Sequence, residues 1–144
     1  MKRVYIDGVF DLFHRGHVES LLSAKNALDD SDNTFLIVGV ISDKDCESYK
    51  RKPIISEDDR YTIIQNIKCV DLVIENAPLL MTMEFIKEHN IDMVVHGFAN
   101  DQDREKQNNF FKEIREAGKF KEISYYNKIS TSEIINKLQN NHCI

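Results

Sequence analysis

Positive charge is in short supply in this chain: 19 lysines and arginines stand against 24 aspartates and glutamates, a formal net charge of -5. That balance argues against a general nucleic-acid binder, which presents a basic face to the phosphate backbone. It leaves room for a nucleotide enzyme with a local basic pocket. Long apolar runs are also missing, and none approaches the roughly 20 residues of a membrane span. Met1-Lys2-Arg3 runs straight into a candidate strand, which predicts no signal peptide. The three cysteines, Cys46, Cys69 and Cys143, are an odd number without metal-ligand spacing. They read as free thiols in a reducing compartment, which predicts a cytoplasmic protein. Cys143 stands one residue from the end and does not make a prenylation box. Neither a linker nor an internal repeat interrupts the chain. With 42% apolar and 30% charged residues, 1–144 is expected to be a single domain with its own core.

What is present is an alternation of short apolar runs with helix-length amphipathic segments. Strands are predicted at Val4–Ile6, Phe35–Ile41, Leu72–Ile74, Met93–His96 and Glu122–Tyr126, and helices near 17–28, 57–68, 82–89, 104–117 and 131–140. Ser56 stands three residues before Asp59, and Ser130 three before Glu133, both capping-box patterns. Asn90 and Gly118 stand where helices should stop. Five β–α repeats predict an α/β fold, a Rossmann-like, doubly wound parallel sheet with helices on both faces. Such sheets bind ligands beyond the carboxyl ends of their strands.

The stretch Asp7-Gly8-Val9-Phe10-Asp11-Leu12-Phe13-His14-Arg15-Gly16-His17 follows the first apolar run. It reads as a strand, a glycine-bearing turn and a helix opening at His17. A helix N-terminus exposes unpaired N–H groups and partial positive charge, and so attracts phosphate. Gly8 and Gly16 let backbone approach a ligand, while His14 and His17, three apart, can aim at one point. Taken singly, each histidine is equally at home as a buried or capping residue. The pair has no third His, Cys or carboxylate at conventional zinc spacing, which argues against a metal site. A nucleoside triphosphate fits this turn.

The segment 4–25 resembles the signature of the cytidylyltransferases that make CDP-choline, CDP-ethanolamine and CDP-glycerol. The likeness continues through Leu36-Ile37-Val38-Gly39-Val40-Ile41-Ser42-Asp43, Lys50 and Glu57-Asp58-Asp59-Arg60-Tyr61. Further on it takes in Val70-Asp71-Leu72-Val73-Ile74, Asn76-Ala77-Pro78, Glu116-Ala117-Gly118 and Ile129-Ser130-Thr131-Ser132-Glu133. These pieces stand in family order across residues 3–138. The resemblance implies transfer of CMP from CTP to a phosphorylated alcohol, with pyrophosphate as the leaving group. It implies that His14 and His17 stabilise the phosphates and that Lys50 draws the two anionic substrates together. Lys50 in Tyr49-Lys50-Arg51-Lys52 also reads as part of a solvated basic loop. Gly8, Val9, Phe10, Asp11, Gly16, Asp71, Ile129, Ser130, Thr131 and Ser132 match positions at or near the nucleotide. Asp11 and Asp71 can instead fix turns, and Ser130 can simply cap a helix. Magnesium is expected to arrive with CTP, held by phosphates and water, and a homodimer is implied.

Two departures stand out. Tyr125-Tyr126-Asn127-Lys128 replaces the family's Arg-Thr-x-Gly, leaving Lys128 as the nearest substitute for a lost arginine. Leu79 stands where a tryptophan often follows Asn-Ala-Pro. For the acceptor, His96, Gly97, Phe98, Asn100 and Asp101 match the head-group region, and Val-His-Gly followed by Asn-Asp leans towards the ethanolamine type. His96 can equally pack under the pocket. The alternatives are glycerol 3-phosphate as acceptor, or a homologue that binds nucleotide and has lost turnover. No lipid-sensing helix follows the catalytic region before Ile144, so membrane regulation is not expected.

Overall fold

The computed structural model describes residues 1–140. Its strands are β1 (Lys2–Gly8), β2 (Thr34–Val40), β3 (Leu72–Ile74), β4 (Met93–His96) and β5 (Phe120–Glu122). They form one sheet in the order β3-β2-β1-β4-β5, parallel throughout. The helices are α1 (Arg15–Lys25), α2 (Asp43–Glu47), α3 (Glu57–Gln65), α4 (Met83–Glu88), α5 (Asp101–Gln107), α6 (Lys112–Glu116) and α7 (Thr131–Asn140). From β1 the chain works outward to β3, then returns to lay β4 on the other side of β1. Connections therefore leave β1 and β4 in opposite directions, and a crevice opens between their carboxyl ends.

Alternation along β1 divides the core. Val4 and Ile6 face one layer with Leu21, Leu36, Val38 and Ile64, while Tyr5 faces the other with Ile37, Phe85, Val94, Phe111 and Ile114. Both faces of the sheet are covered by apolar side chains, so its strands read as near-continuous apolar runs, as a doubly covered parallel sheet must. Each fully buried Leu or Ile contributes about 1.5–3 kcal/mol relative to exposure.

Local chemistry sets the ends of the helices. Asn90 and Gly118 sit at φ 53° and 72°, the left-handed turn that stops α4 and α6. Thr82 caps α4 by accepting from the Phe85 amide, and Ser42 caps α2 by accepting from Asp45. Ser130 accepts from the Glu133 amide at 3.1 Å, as its spacing predicts.

The structure corrects four details. Ser56 makes no side-chain cap; the adjacent Glu57 carboxylate instead accepts from the Asp43 amide at 2.9 Å. The first helix opens at Arg15, because His14 itself is its N-cap. The expected helix at 104–117 is two helices starting at Asp101, separated where the Phe110 carbonyl turns away to accept from Met81. The last strand is Phe120–Glu122, since Phe120 inserts against Phe111 and the chain beyond Ile123 leaves the sheet for the crevice. Short α2 was missed: five residues are too few to show a helical period. Cys143 lies outside the described residues.

Candidate active site

A cleft of about 540 Å³ lies at the carboxyl ends of β1 and β4. One wall is the turn after β1, where Phe10 and Leu12 adopt φ 58° and 50°. Such values are unusual for bulky residues and persist only where the surroundings hold them. Gly8 is required here by packing, because a Cβ would lie 2.9 Å from the Phe10 ring. At Gly16 a Cβ would lie 2.6 Å from the His14 ring. The space beside each glycine is thus filled by the motif's own side chains.

His14 Nδ1 accepts from the Gly16 amide at 2.9 Å, and His17 Nδ1 accepts from the His14 amide at 3.2 Å. The two histidines form the capping box of α1, with rings stacked at 4.0 Å between centroids. Accepting at Nδ1 leaves a proton on Nε2 of each neutral ring. Thr131 Oγ1 donates to the Asp11 carbonyl at 2.9 Å and lies 3.3 Å from His14 Nε2. The hydroxyl is therefore placed to accept from His14, joining the start of α7 to the start of α1. Burial, with the neighbouring His14 and Lys50 adding to it, pushes His17 down to about 3 against the partial counter-pull of Asp11. Burial also lowers His14, opposed by Glu133. Both rings are neutral donors near pH 7.

The Asp11 carboxylate is 4% exposed. Its Oδ1 accepts from Ile55 N at 2.9 Å, and its Oδ2 from Ile54 N at 2.8 Å and Arg51 Nη1 at 3.0 Å. Burial alone would raise this carboxyl, but the two amides and the Arg51 guanidinium outweigh it and hold the group below the usual range. Lys50 lines the cleft from the same loop, its Nζ 5.2 Å from the Tyr49 ring centroid. On the floor, Asp7 Oδ1 and His96 Nδ1 stand 3.4 Å apart, both nearly buried. The His96 Nδ1 atom is buried and has no well-directed hydrogen bond in the structure.

Two helix N-termini, α1 and α7, thus open on one cleft at the switch point of a parallel sheet. Comparison with known proteins gives this arrangement its family. The cytidylyltransferase-like family model matches residues 5–137. This chain belongs to the cytidylyltransferase-like family. It is 42% identical to choline-phosphate cytidylyltransferase A of Rattus norvegicus over 136 residues, 94% of this chain and 36% of the relative. It is 34% identical to the ethanolamine-phosphate cytidylyltransferase of Mus musculus over 137 residues, 94% of this chain and 32% of that protein. The chain therefore spans about a third of the length of these relatives. Among solved structures, the lipopolysaccharide core biosynthesis protein of Thermoplasma volcanium superposes with a TM-score of 0.68 at 28% identity, covering 88% of this chain and 99% of that one.

Within this cytidylyltransferase-like domain the cleft brings together Gly8, Val9, Phe10, Asp11, His14, Gly16, His17, Lys50, His96, Gly97, Asn100 and the 129–132 segment. Four expected site residues lie off the cleft wall. Asp71 precedes β3 at the opposite edge of the sheet, where its carboxylate accepts from Leu36 N at 2.8 Å and Lys25 Nζ at 3.1 Å. Because parallel strands all start at the same edge, a residue just before one faces away from the ligand end. Phe98 is packed into the core beside Phe111 and Phe120. The Asp101 side chain is fully exposed and pairs with Arg104 at 2.6 Å. Lys128 is exposed and outside the cleft lining, where Tyr125 and Tyr126 take part instead. Reading the sequence missed Asp7, Arg51, Asp103, Lys106 and Gln107, all of which line the cleft. The carboxyl-end rule pointed to Asp7 as the penultimate residue of β1; the others come from loops and α5, which carry no such signal.

Among the described residues no helix is long and apolar enough to cross a membrane. No three His, Cys, Asp or Glu side chains among them converge as a metal site.

Proposed function

We propose that this chain transfers CMP from CTP to phosphoethanolamine or phosphocholine. An acceptor phosphate oxygen bonds to the α-phosphorus of CTP while the bond to the bridging oxygen of the β-phosphate breaks, releasing pyrophosphate. The observation that carries this reading is the convergence of both helix N-termini on one cleft. Each presents the partial positive charge of its terminus to a triphosphate; at α1 the capping histidines take the Gly16 and His14 amides, and the imidazole rings stand at that end instead. His17 donates from Nε2 to oxygens on which charge develops, His14 does so by exchanging its contact with Thr131 Oγ1 for the ligand, and Lys50 offsets repulsion between the two anions. Ser130 and Ser132 are the hydroxyl donors at the second terminus, while the Thr131 hydroxyl, its proton on the Asp11 carbonyl, holds that terminus against the histidine turn. Magnesium comes with CTP, carried by phosphates and water. Arg51 and Lys106 line the cleft, and Lys128 does not, so the charge missing at Tyr125 is sought in those two.

Asp7, nearly buried on the floor, favours a cationic head group over glycerol 3-phosphate. A homodimer in a reducing compartment completes the proposal; the two described cysteines, Cys46 and Cys69, are free thiols. The test is pyrophosphate release with CTP, magnesium and, separately, phosphoethanolamine, phosphocholine or glycerol 3-phosphate. Release that depends on one of the two cationic acceptors is the expected result. CTP binding with no turnover on any acceptor overturns it in favour of a catalytically silent homologue, the reading that Tyr125 in place of arginine motivates.

A further inference from the structure

We infer that Asp11 is a positioning residue, a clasp that fastens the loop carrying Lys50 against the cleft it lines rather than a ligand of the nucleotide. The inference rests on the proposed transfer only for the role given to Lys50. Between α2 and α3 the chain runs from Ser48 to Ser56 without regular structure. Its near end is tied to α2, where the Tyr49 and Lys50 amides donate to the Cys46 carbonyl at 3.2 and 2.9 Å. The Cys46 thiol in turn donates to the Arg51 carbonyl at 3.4 Å. The far end hangs on Asp11 through the Ile54 and Ile55 amides and the Arg51 guanidinium. Lys50 lies between these anchors. Its ammonium makes no ion pair among the described residues, so the backbone of the loop is what aims it.

The carboxylate is shielded from a ligand, with both oxygens turned to the loop and 4% of the residue exposed. The main chain of Asp11 accepts from the hydroxyl of Thr131, beside His14. One residue therefore joins the histidine turn, the lysine loop and the start of α7. Asparagine is a poor substitute, because its single carbonyl oxygen cannot serve amides on both sides and its NH₂ faces a donor.

The experiment is limited trypsin digestion of the full chain and its Asp11→Asn variant, paired with steady-state kinetics. Trypsin cuts after Lys50 and Arg51, whereas Lys52 is guarded by Pro53. When opening is fast relative to cutting, cleavage follows the population of the open loop. Loss of the clasp is expected to raise the rate of release of the 1–50 and 1–51 fragments by about tenfold or more, with other sites unchanged. Displacing Lys50 is expected to lower kcat/KM by about 100-fold. Asp11→Asn added to Lys50→Ala should then cost no more than about twofold over Lys50→Ala alone. Unchanged loop cleavage in folded Asp11→Asn, or losses that multiply in the double variant, overturns the clasp. Should Asp11→Asn fail to fold, Arg51→Gln removes one of the three bonds at a half-exposed position. Faster cutting after Lys50 in that variant supports the clasp, and unchanged cutting overturns it. If the parent protein turns over none of the acceptors, the proposed function fails while the digestion still decides the clasp.

Discussion

A histidine that accepts at Nδ1 and is flanked by Phe10 and Phe13 can offer a ligand the proton on Nε2 and little else. For His17 that state is bought with stability at low pH. Its folded value of about 3 lies below the ordinary 6.5, so the unfolded chain binds a proton first as pH falls. Stability is therefore full above about pH 6.5 and is lost downward from there at about 1.4 kcal/mol per pH unit. His14, lowered in the same sense, steepens the loss below about pH 6.5, and Asp11 adds its own only below the ordinary carboxylate value near 3.8. Urea denaturation between pH 7 and 4.5 should show at least this slope, and His17→Gln should reduce it to the share of His14; an unchanged slope in the variant would assign the titration elsewhere. The same side chain carries a kinetic expectation. Removing a preorganised donor costs about 3–4 kcal/mol of transition-state stabilisation, so His14→Ala and His17→Ala should each lower kcat by about 10²–10³-fold. At this scale the histidine pair and the Ser130 cap were legible in the sequence, because each is a local spacing within one turn, whereas Lys50 was singled out by the resemblance and not by its spacing. Asp71 was not: its role depends on which edge of the sheet the chain has reached, and that is set by β2 and Lys25, far away in sequence.

At the scale of elements, α3 is fixed by a buried cation rather than by its cap. Arg60 has no exposed surface; its guanidinium donates to the Val9 and Ile41 carbonyls at 2.7 and 2.8 Å and to the Ile55 carbonyl at 2.9 Å. It also pairs with Asp43 at 2.6 Å. The side chain thus ties together the turn after β1, the end of β2, the Lys50 loop and α2. Removing one partner of a buried, hydrogen-bonded charge pair costs about 3–5 kcal/mol, since three carbonyls and a carboxylate lose their donor. Arg60→Met should show that loss in chemical denaturation, and Asp43→Asn, whose side chain is partly exposed, should show less. In the sequence Arg60 appears as one charged residue in an acidic helix start, and charge normally signals a solvated face. Only the packing of α3 beneath the first turn reveals it as a cross-tie. The break between α5 and α6 was hidden for a similar reason, since Phe110 and Phe111 satisfy a helical period while their backbone answers to Met81.

For the whole molecule, alternation of apolar runs with amphipathic segments was enough to specify the parallel sheet and hence the end at which the cleft opens. The strand order then places β3 at one free edge. This is a three-residue strand with Leu72 40% exposed and Val73 and Ile74 only half-buried. Sheet edges with unpaired N–H and C=O groups invite a second chain, and proteins that stay monomeric blunt them with charge, proline or strands as short as this one, so what marks β3 is the apolar side chain it exposes rather than its length. Here the strand itself reads Leu-Val-Ile, with Val70 and Asp71 before it. That edge, remote from the cleft, can pair without covering the nucleotide site. The proposed homodimer is therefore expected to form through β3. Sedimentation velocity should give a mass near twice the 16.8 kDa chain. Leu72→Lys, which puts a charge on the exposed face without touching the cleft, should shift it to the monomer while leaving the fold intact. A dimer that survives the substitution would move the interface to another face, and a monomeric parent would remove the dimer from the proposal altogether.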